Sequence, residues 1–569
     1  MKSLACAWLL LLTAISAGAQ DAPLMKEPVY WVHRMNNTNN DETTAKTYAL
    51  MERAAKAGYT GIAYHDGRLV MRQFQTPQYM AKLGKFREKA TELKLTIAAS
   101  LAAIGYGDEF LMNDLNLAEG MPVRKATFIV KDGKLVPHDP DLRLLNGGFE
   151  DWTGAAPAKW EIDDLGTAAF KDDLVKAEGA FSVRTEGIKA KSEHGRTRQF
   201  QRIKVAPFHN YSVTVMVKTD KCTNRDIRIM GLDTYALNWT GLPIEETMDW
   251  TRIGITFNSL EANEVGIYMG TWDGGAGTMW WDDVRIEPAG FINVIRRDSL
   301  PLTVTSEDGT ATYDEGKDFA KVADPLFTPC LSGWHAQPSV PIPAGSRLKE
   351  GQKVLVSYHH AMTNLQENNT PVCMSCPKVY DEIRHSIQFA KDNLHPDVYF
   401  LAHDEIRQCG YDDDCAKRKL TPGQILADNI AKCVKMVEEI DPGKPVVVWS
   451  DMFDPNHLAA KTEEDGKTPF HHFLVKGDGP WWESWKGMPK QLGVVNWNNG
   501  NVKSSQFFDG EGHQQVLSHS SVEGIVKWLD ETKGKHIAGV MYTTWEDDYS
   551  PLEKYIDAVK QWQAKNPQR

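Results

Sequence analysis

The chain repeats one pattern: a short apolar run that ends in polar, chemistry-bearing groups. Such runs lie at 29–33, 61–65, 95–100, 354–359, 398–403, 446–450, 492–497 and 537–542. Continuous apolar runs of this length suit parallel strands buried on both faces, and polar groups at their C-terminal ends are where a barrel keeps its chemistry. Helical patterns separate several of them. Thr421-Pro422-Gly423-Gln424 is a capping box with proline at the first helical position, Leu426, Ile430, Val434 and Val437 follow at helical spacing, and Asp441-Pro442-Gly443 stops the run. Eight strand–helix repetitions predict a (β/α)8 TIM barrel of the α/β class.

The texture changes between the third and fourth runs. Residues 144–288 alternate strictly: Tyr211, Val213, Val215 and Val217 take turns with Ser212, Thr214, Met216 and Lys218, and Ile253, Ile255 and Phe257 repeat the period. Turn signals such as Asp273-Gly274-Gly275 recur, and no convincing helix appears. This predicts an antiparallel β-sandwich of galactose-binding, jelly-roll-like type inserted in the third strand–helix connection. The expected organisation is a leader at 1–19, the first part of the barrel with a connector hairpin at 20–143, the sandwich at 144–288, and a connector with the remaining barrel at 289–569.

The leader is expected from Lys2, the apolar run 7–15 and Ala17-Gly18-Ala19, which together have the form of a secretory signal peptide cut after Ala19. A secreted or periplasmic protein without a membrane span follows. A net charge of −12 without a basic stripe argues against a nucleic-acid partner. The 18 Trp and 17 Tyr instead suit an oligosaccharide or polysaccharide partner, because sugar C–H groups meet the negative faces of aromatic rings. Eight cysteines are present, with Cys6 in the leader. Cys373-x-x-Cys376 and the Cys409/Cys415 pair read as disulfides or buried thiols. A zinc site built on both pairs is the alternative, with a second spacing that is wide for a zinc knuckle.

The strand ends are rich in acids, histidines and tryptophans. In order they present His33 and Arg34; His65 and Asp66; Tyr358, His359 and His360; His403, Asp404, Glu405 and Arg407; Trp449 and Asp451; Asn496 and Trp497; and Trp545, Glu546, Asp547 and Asp548. Carboxylates facing one another between aromatic walls suit cleavage of glycosidic bonds, where one acid protonates the leaving oxygen and a second group stabilises or attacks the anomeric carbon. Glu405 is the candidate general acid and Asp404 its catalytic neighbour. Arg34, His65, His359, His403, Trp449, Asp451, Asn496, Trp497, Trp545 and Glu546 are the candidate substrate-binding residues, and no cofactor is expected for catalysis.

Two resemblances add to this. Asn146-Gly147-Gly148-Phe149-Glu150-Asp151-Trp152 and Trp280-Trp281-Asp282-Asp283-Val284-Arg285-Ile286 resemble the first and last strands of family 4/9-type carbohydrate-binding modules. That resemblance implies a structural calcium at Glu150 and Asp283, with Trp239, Trp272 and Trp280 as stacking residues or core. The Asp404-Glu405 pair at a strand end resembles family 20 glycoside hydrolases, the β-N-acetylhexosaminidases. There the Glu is the acid, and the Asp orients a 2-acetamido group whose oxygen is the nucleophile. The resemblance further implies that Trp449, Trp497, Trp545 and Glu546 line the pocket and that Arg34 binds ring hydroxyls. It departs in having Ala402-His403 instead of two glycines, in lacking an N-terminal α+β domain, and in putting the pair on the fifth run where the family has the fourth strand.

Other readings stand beside these. Asp404-Glu405-Ile406-Arg407 also suits a structural salt bridge. Glu405 with Glu546 or Asp451 suits a two-carboxylate retaining glycosidase on non-acetamido sugars. His65, Asp66, His359, His360, His403 and Asp404 suit a hydrolytic metal, although no His-Glu-x-x-His occurs. A non-catalytic carbohydrate-binding protein is the fourth reading.

Overall fold

A computed structural model describes residues 25–567 except 192–194, 224–226, 233–235, 240–241, 272–274, 330–332, 363–369, 467–472 and 478. The leader expected at 1–19, Trp272 and Cys330 lie outside the described residues.

Eight parallel strands close into a barrel: Val29–Met35, Gly61–His65, Thr96–Leu101, Val398–Leu401, Val446–Trp449, Gly493–Asn496, Gln515–His519 and Ile537–Tyr542, paired in that order with the last returning to the first. Alternation along each strand divides the side chains into two cores. Trp31, Ala63, Ala98, Val398, Phe400, Val447, Val495, Val516 and Met541 fill the barrel interior. Val32, Ile62, Tyr399, Leu401, Val448, Val494 and Leu517 face outward into a larger apolar layer shared with the helices.

The regular (β/α)8 alternation is overturned. The molecule is β-rich and 27% helical. Among the described residues, the only α-helix in the connection from Val446–Trp449 to Gly493–Asn496 is the four-residue Glu463–Gly466, beside 3-10 turns and the short strand Leu474–Val475. The run at 354–359 is not a barrel strand either. Lys353–His360 is antiparallel to Met121–Lys131 and to Thr303–Ser306 in a separate sheet. Its Val354, Val356 and Tyr358 are buried while Leu355 and Ser357 are partly exposed, the signature of a one-sided antiparallel strand rather than a strand buried on both faces. The barrel position comes instead from Gln515–His519, whose Gln515 and Ser518 disguise it as a polar segment. The strand carrying Asp404 and Glu405 is therefore the fourth of the barrel.

Between the third and fourth barrel strands, two five-stranded antiparallel sheets share one core that includes Val213, Val215, Ile255, Ile267, Met269 and Trp281. Tyr411, Met362 and Leu474, from segments outside 144–288, are buried in that same core. Asn258 ties the two regions further by donating to the carbonyl of Pro122 at 2.9 Å.

Candidate active site

The fourth barrel strand ends at Leu401, and the chain then departs from extended geometry. Alternation sends Val398, Phe400 and Ala402 inward and His403 outward. His403 is fully buried, with Nε2 2.8 Å from Asn429 Oδ1 on the helix Pro422–Ile440, and burial pushes its imidazole down to about 4. Asp404 then faces the mouth. Continued alternation would turn Glu405 away, but Glu405 has a φ of 48°. That left-handed backbone, unfavourable for a residue with a Cβ, redirects Glu405 to the same side as Asp404. Asp451 holds the turn, its Oδ2 accepting from the Glu405 backbone N–H at 2.9 Å. Gly105 allows the close approach behind it, because a Cβ there would sit 2.3 Å from the Asp404 carbonyl oxygen.

The two Glu405 oxygens are separately engaged. Arg407 Nη2 lies 2.9 Å from Oε1, and the Tyr106 hydroxyl donates to Oε2. The carboxyl is a quarter exposed. Asp404 is raised to about 7 by desolvation and by the neighbouring Glu405 charge. Asp451, fully buried, is raised well above the carboxylate range by burial and then by Asp404. Its Oδ1 accepts from the Trp497 indole N–H at 3.1 Å. Burial first, and then the charge of the neighbouring carboxylates, thus raises the proton affinity of both Asp404 and Asp451.

Aromatic and cationic groups wall the mouth. The His33 ring packs edge-on against Trp449 at 6.0 Å and Trp545 at 5.0 Å, and Trp449 packs on Phe400 at 4.8 Å. Trp545 is 66% exposed, an open indole face at the rim. Burial pushes His33 down to about 3, so it is a neutral wall residue. His65 behaves in the opposite way. Burial opposes its charge, but Glu109, 2.8 Å from Nε2, outweighs burial and raises it to about 9. Its Nδ1 hydrogen-bonds with Ser100 Oγ at 3.1 Å.

Several candidate residues are not brought there. His359 lies on the separate sheet, 3.8 Å from Asp413. Asn496 is fully buried and donates outward to Ser504 Oγ at 3.0 Å and Gln515 Oε1 at 3.2 Å. His403 supports the strand from behind. Arg34 also alternates outward: its Nε donates to Thr47 Oγ1 at 2.9 Å, and its other end pairs with Asp547 rather than Glu546, which is exposed at the rim. Asp283 is clasped by Arg252 and Arg285, and Glu150 accepts from the Ala180 N–H at 2.8 Å. Two guanidinium groups on one carboxylate already supply the compensating charge.

The sequence reading missed Tyr106, Glu109 and His457. His457 packs on Trp497 with ring centroids 4.9 Å apart. Tyr106 and Glu109 lie five and eight residues past the third barrel strand Thr96–Leu101, beyond the strand-end residues that the sequence reading considered.

No protein-family profile matches the chain, and no curated protein matches it. Among solved structures, TmCBM61 in complex with beta-1,4-galactotriose is 16% identical over 26% of this chain and 97% of that one, with a TM-score of 0.21. A structure described as CBM4 is 20% identical over 26% of this chain and 99% of that one, with a TM-score of 0.19. A rhamnosidase from Novosphingobium sp. PP1Y is 11% identical over 91% of this chain and 55% of that one, with a TM-score of 0.33. The structural neighbours thus include carbohydrate-binding modules and a glycoside hydrolase, at similarities that assign neither a family nor an activity to this chain.

Proposed function

We propose that the barrel mouth is the active site of a glycoside hydrolase, with Asp404 and Glu405 as its working carboxyl pair. The observation that carries this reading is the left-handed Glu405. A backbone strained by about 1–3 kcal/mol persists only where the surroundings over-determine it, and such strain gathers at functional sites. Here it is held by Asp451 and serves to bring two adjacent carboxyl groups to one side. Acid catalysis of glycosidic cleavage needs a carboxyl that keeps its proton near neutrality. The raised proton affinity of Asp404 and Asp451 supports that requirement, and the Trp497 and Trp545 faces suit a sugar ring.

The finer reading is substrate-assisted cleavage of a 2-acetamido sugar, with Glu405 giving the proton and Asp404 orienting the acetamido group. The position of the pair at the end of the fourth barrel strand supports the family 20 resemblance that implies these roles. A second division of labour has its own support. Glu405 is ion-paired with Arg407, whereas Asp404 is the carboxyl raised to about 7. In that version Asp404 donates the proton and Glu405 stabilises positive charge at the anomeric carbon.

Chromogenic glycosides with and without a 2-acetamido group, assayed with Glu405→Gln and Asp404→Asn, separate these readings. Each variant should lose at least about 100-fold in kcat/KM. Loss confined to substrates with poor leaving groups marks the proton donor, and damage by Asp404→Asn confined to acetamido substrates marks acetamido participation. Full activity of both variants on every hydrolysed substrate would remove the mouth as the active site.

A further inference from the structure

A second cluster of reactive side chains lies outside the mouth. Glu119, Cys373, Asp412 and Cys415 are all buried, and one ligand atom from each lies within 4.8 Å of the others. They come from three separate stretches of chain: the turn before Met121–Lys131, the turn before the helix Pro377–Asn393, and the loop that runs on from Asp404-Glu405. Cys373 Sγ and Cys415 Sγ are 3.9 Å apart, and Cys415 Sγ is 3.7 Å from Glu119 Oε2. Cys409, also buried, adjoins Cys415.

These spacings have a chemical meaning. Two sulfurs that meet only as buried thiols gain little, and a disulfide requires them about 2.0 Å apart. Tetrahedral zinc with Zn–S near 2.3 Å and Zn–O near 2.1 Å has S–S edges of about 3.8 Å and S–O edges of about 3.6 Å. The Cys373–Cys415 edge of 3.9 Å and the Cys415–Glu119 edge of 3.7 Å are close to those values. The donor set points the same way, because thiolates with carboxylates select a borderline-soft divalent ion over calcium or magnesium.

The charge balance agrees. Arg297 reaches Asp412 Oδ2 at 2.5 Å and Asp414 Oδ2 at 3.1 Å, a cation beside buried Glu119, Asp412 and the thiols. A buried acidic set with this little compensation is costly, and a divalent ion removes the cost. The partners that orient the donors are also present. Glu119 Oε1 accepts from the Gly410 N–H at 2.9 Å, and Asp412 Oδ1 from the Cys415 N–H at 2.8 Å.

We infer that Cys373, Cys415, Glu119 and Asp412 form a structural zinc site that fastens the loop following Asp404-Glu405 to the turns at 119 and 373. The site is closed, with four protein donors and no open position, so its role is to hold the loop in place.

The test is the metal content of the purified full chain after exhaustive dialysis, with native thiols mapped by mass spectrometry under non-reducing conditions. About one zinc per chain is expected, falling below about a tenth in Cys373→Ser and in Cys415→Ser. Should those variants fail to fold, cobalt-exchanged wild-type protein keeps the inference testable, with a thiolate-to-cobalt charge-transfer band expected. Three results would overturn it: no zinc retained after reconstitution with zinc, a native disulfide between Cys373 and Cys415, or bound cobalt without a thiolate band. None of these readouts depends on glycosidase activity.

Discussion

Glu405 illustrates how one backbone angle redirects chemistry. Alternation along the strands sends His33, His65 and Trp449 to the inner side and Arg34 and Asn496 to the outer side, while His403, Asp404, Asp451 and Trp497 follow the strand ends. Parity along each strand was therefore readable in the sequence, and it separates mouth residues from their supports better than strand-end position alone. The exception is Glu405, whose φ of 48° depends on Asp451 from the next strand and on room made by Gly105. No local signal in the sequence announces that angle. Gly105→Ala should accordingly destabilise the chain by about 1–3 kcal/mol, because its Cβ meets backbone rather than a flexible side chain. It should also lower kcat/KM more than an alanine at Gly84, where a Cβ meets nothing within 4 Å, and urea melts with steady-state assays check both. Asp404 supplies a pH signature. Its affinity for protons is raised in the folded chain to about 7. Between about pH 4 and 7 the folded state keeps a proton that the unfolded state has released, so this contribution to stability falls as pH rises through that window. Asp404→Asn removes the titrating group, and its denaturation midpoint should drop less than the parent's between pH 5 and 8.

At the scale of elements, the helix Pro422–Ile440 was legible because every local determinant agrees. Thr421 and Gln424 complete the capping box, and Ile425, Leu426, Ile430, Cys433 and Val437 are buried at helical spacing. Thr421→Ala should cost about 1 kcal/mol, read from the urea midpoint. That helix also carries Asn429, the partner of His403, so Asn429→Ala leaves a buried imidazole without its acceptor and should destabilise by about 1–3 kcal/mol. Thermal melts of that variant are the check. The strands were less legible. Residues 354–359 and 515–519 exchange roles relative to the sequence reading because an apolar run records burial, not direction or partner. A one-sided antiparallel strand with a partly buried Leu355 looks like a parallel strand buried on both faces. A barrel strand whose Gln515 and Ser518 find buried partners looks like a loop.

For the whole molecule, the two five-stranded sheets are more than an appendage, since their core encloses Tyr411, Met362 and Leu474. Replacing 144–288 by a short flexible linker should therefore destabilise the remaining chain by about 3 kcal/mol or more, even though none of the mouth residues named above belongs to that stretch. Calorimetry of the excised chain is the measurement, and unchanged melting would show that the two cores are energetically separate. The sequence by itself determined which segments are apolar, where the alternation has period two, which helix is capped, and that acids and tryptophans gather at strand ends, because these follow from local propensity and burial. Tertiary structure alone decided which eight runs close the barrel, which face of its strand Glu405 presents, and that Glu119 meets Cys373 and Cys415. Those outcomes depend on pairings between residues far apart in the chain, and the energy of such a pairing is written in no single segment.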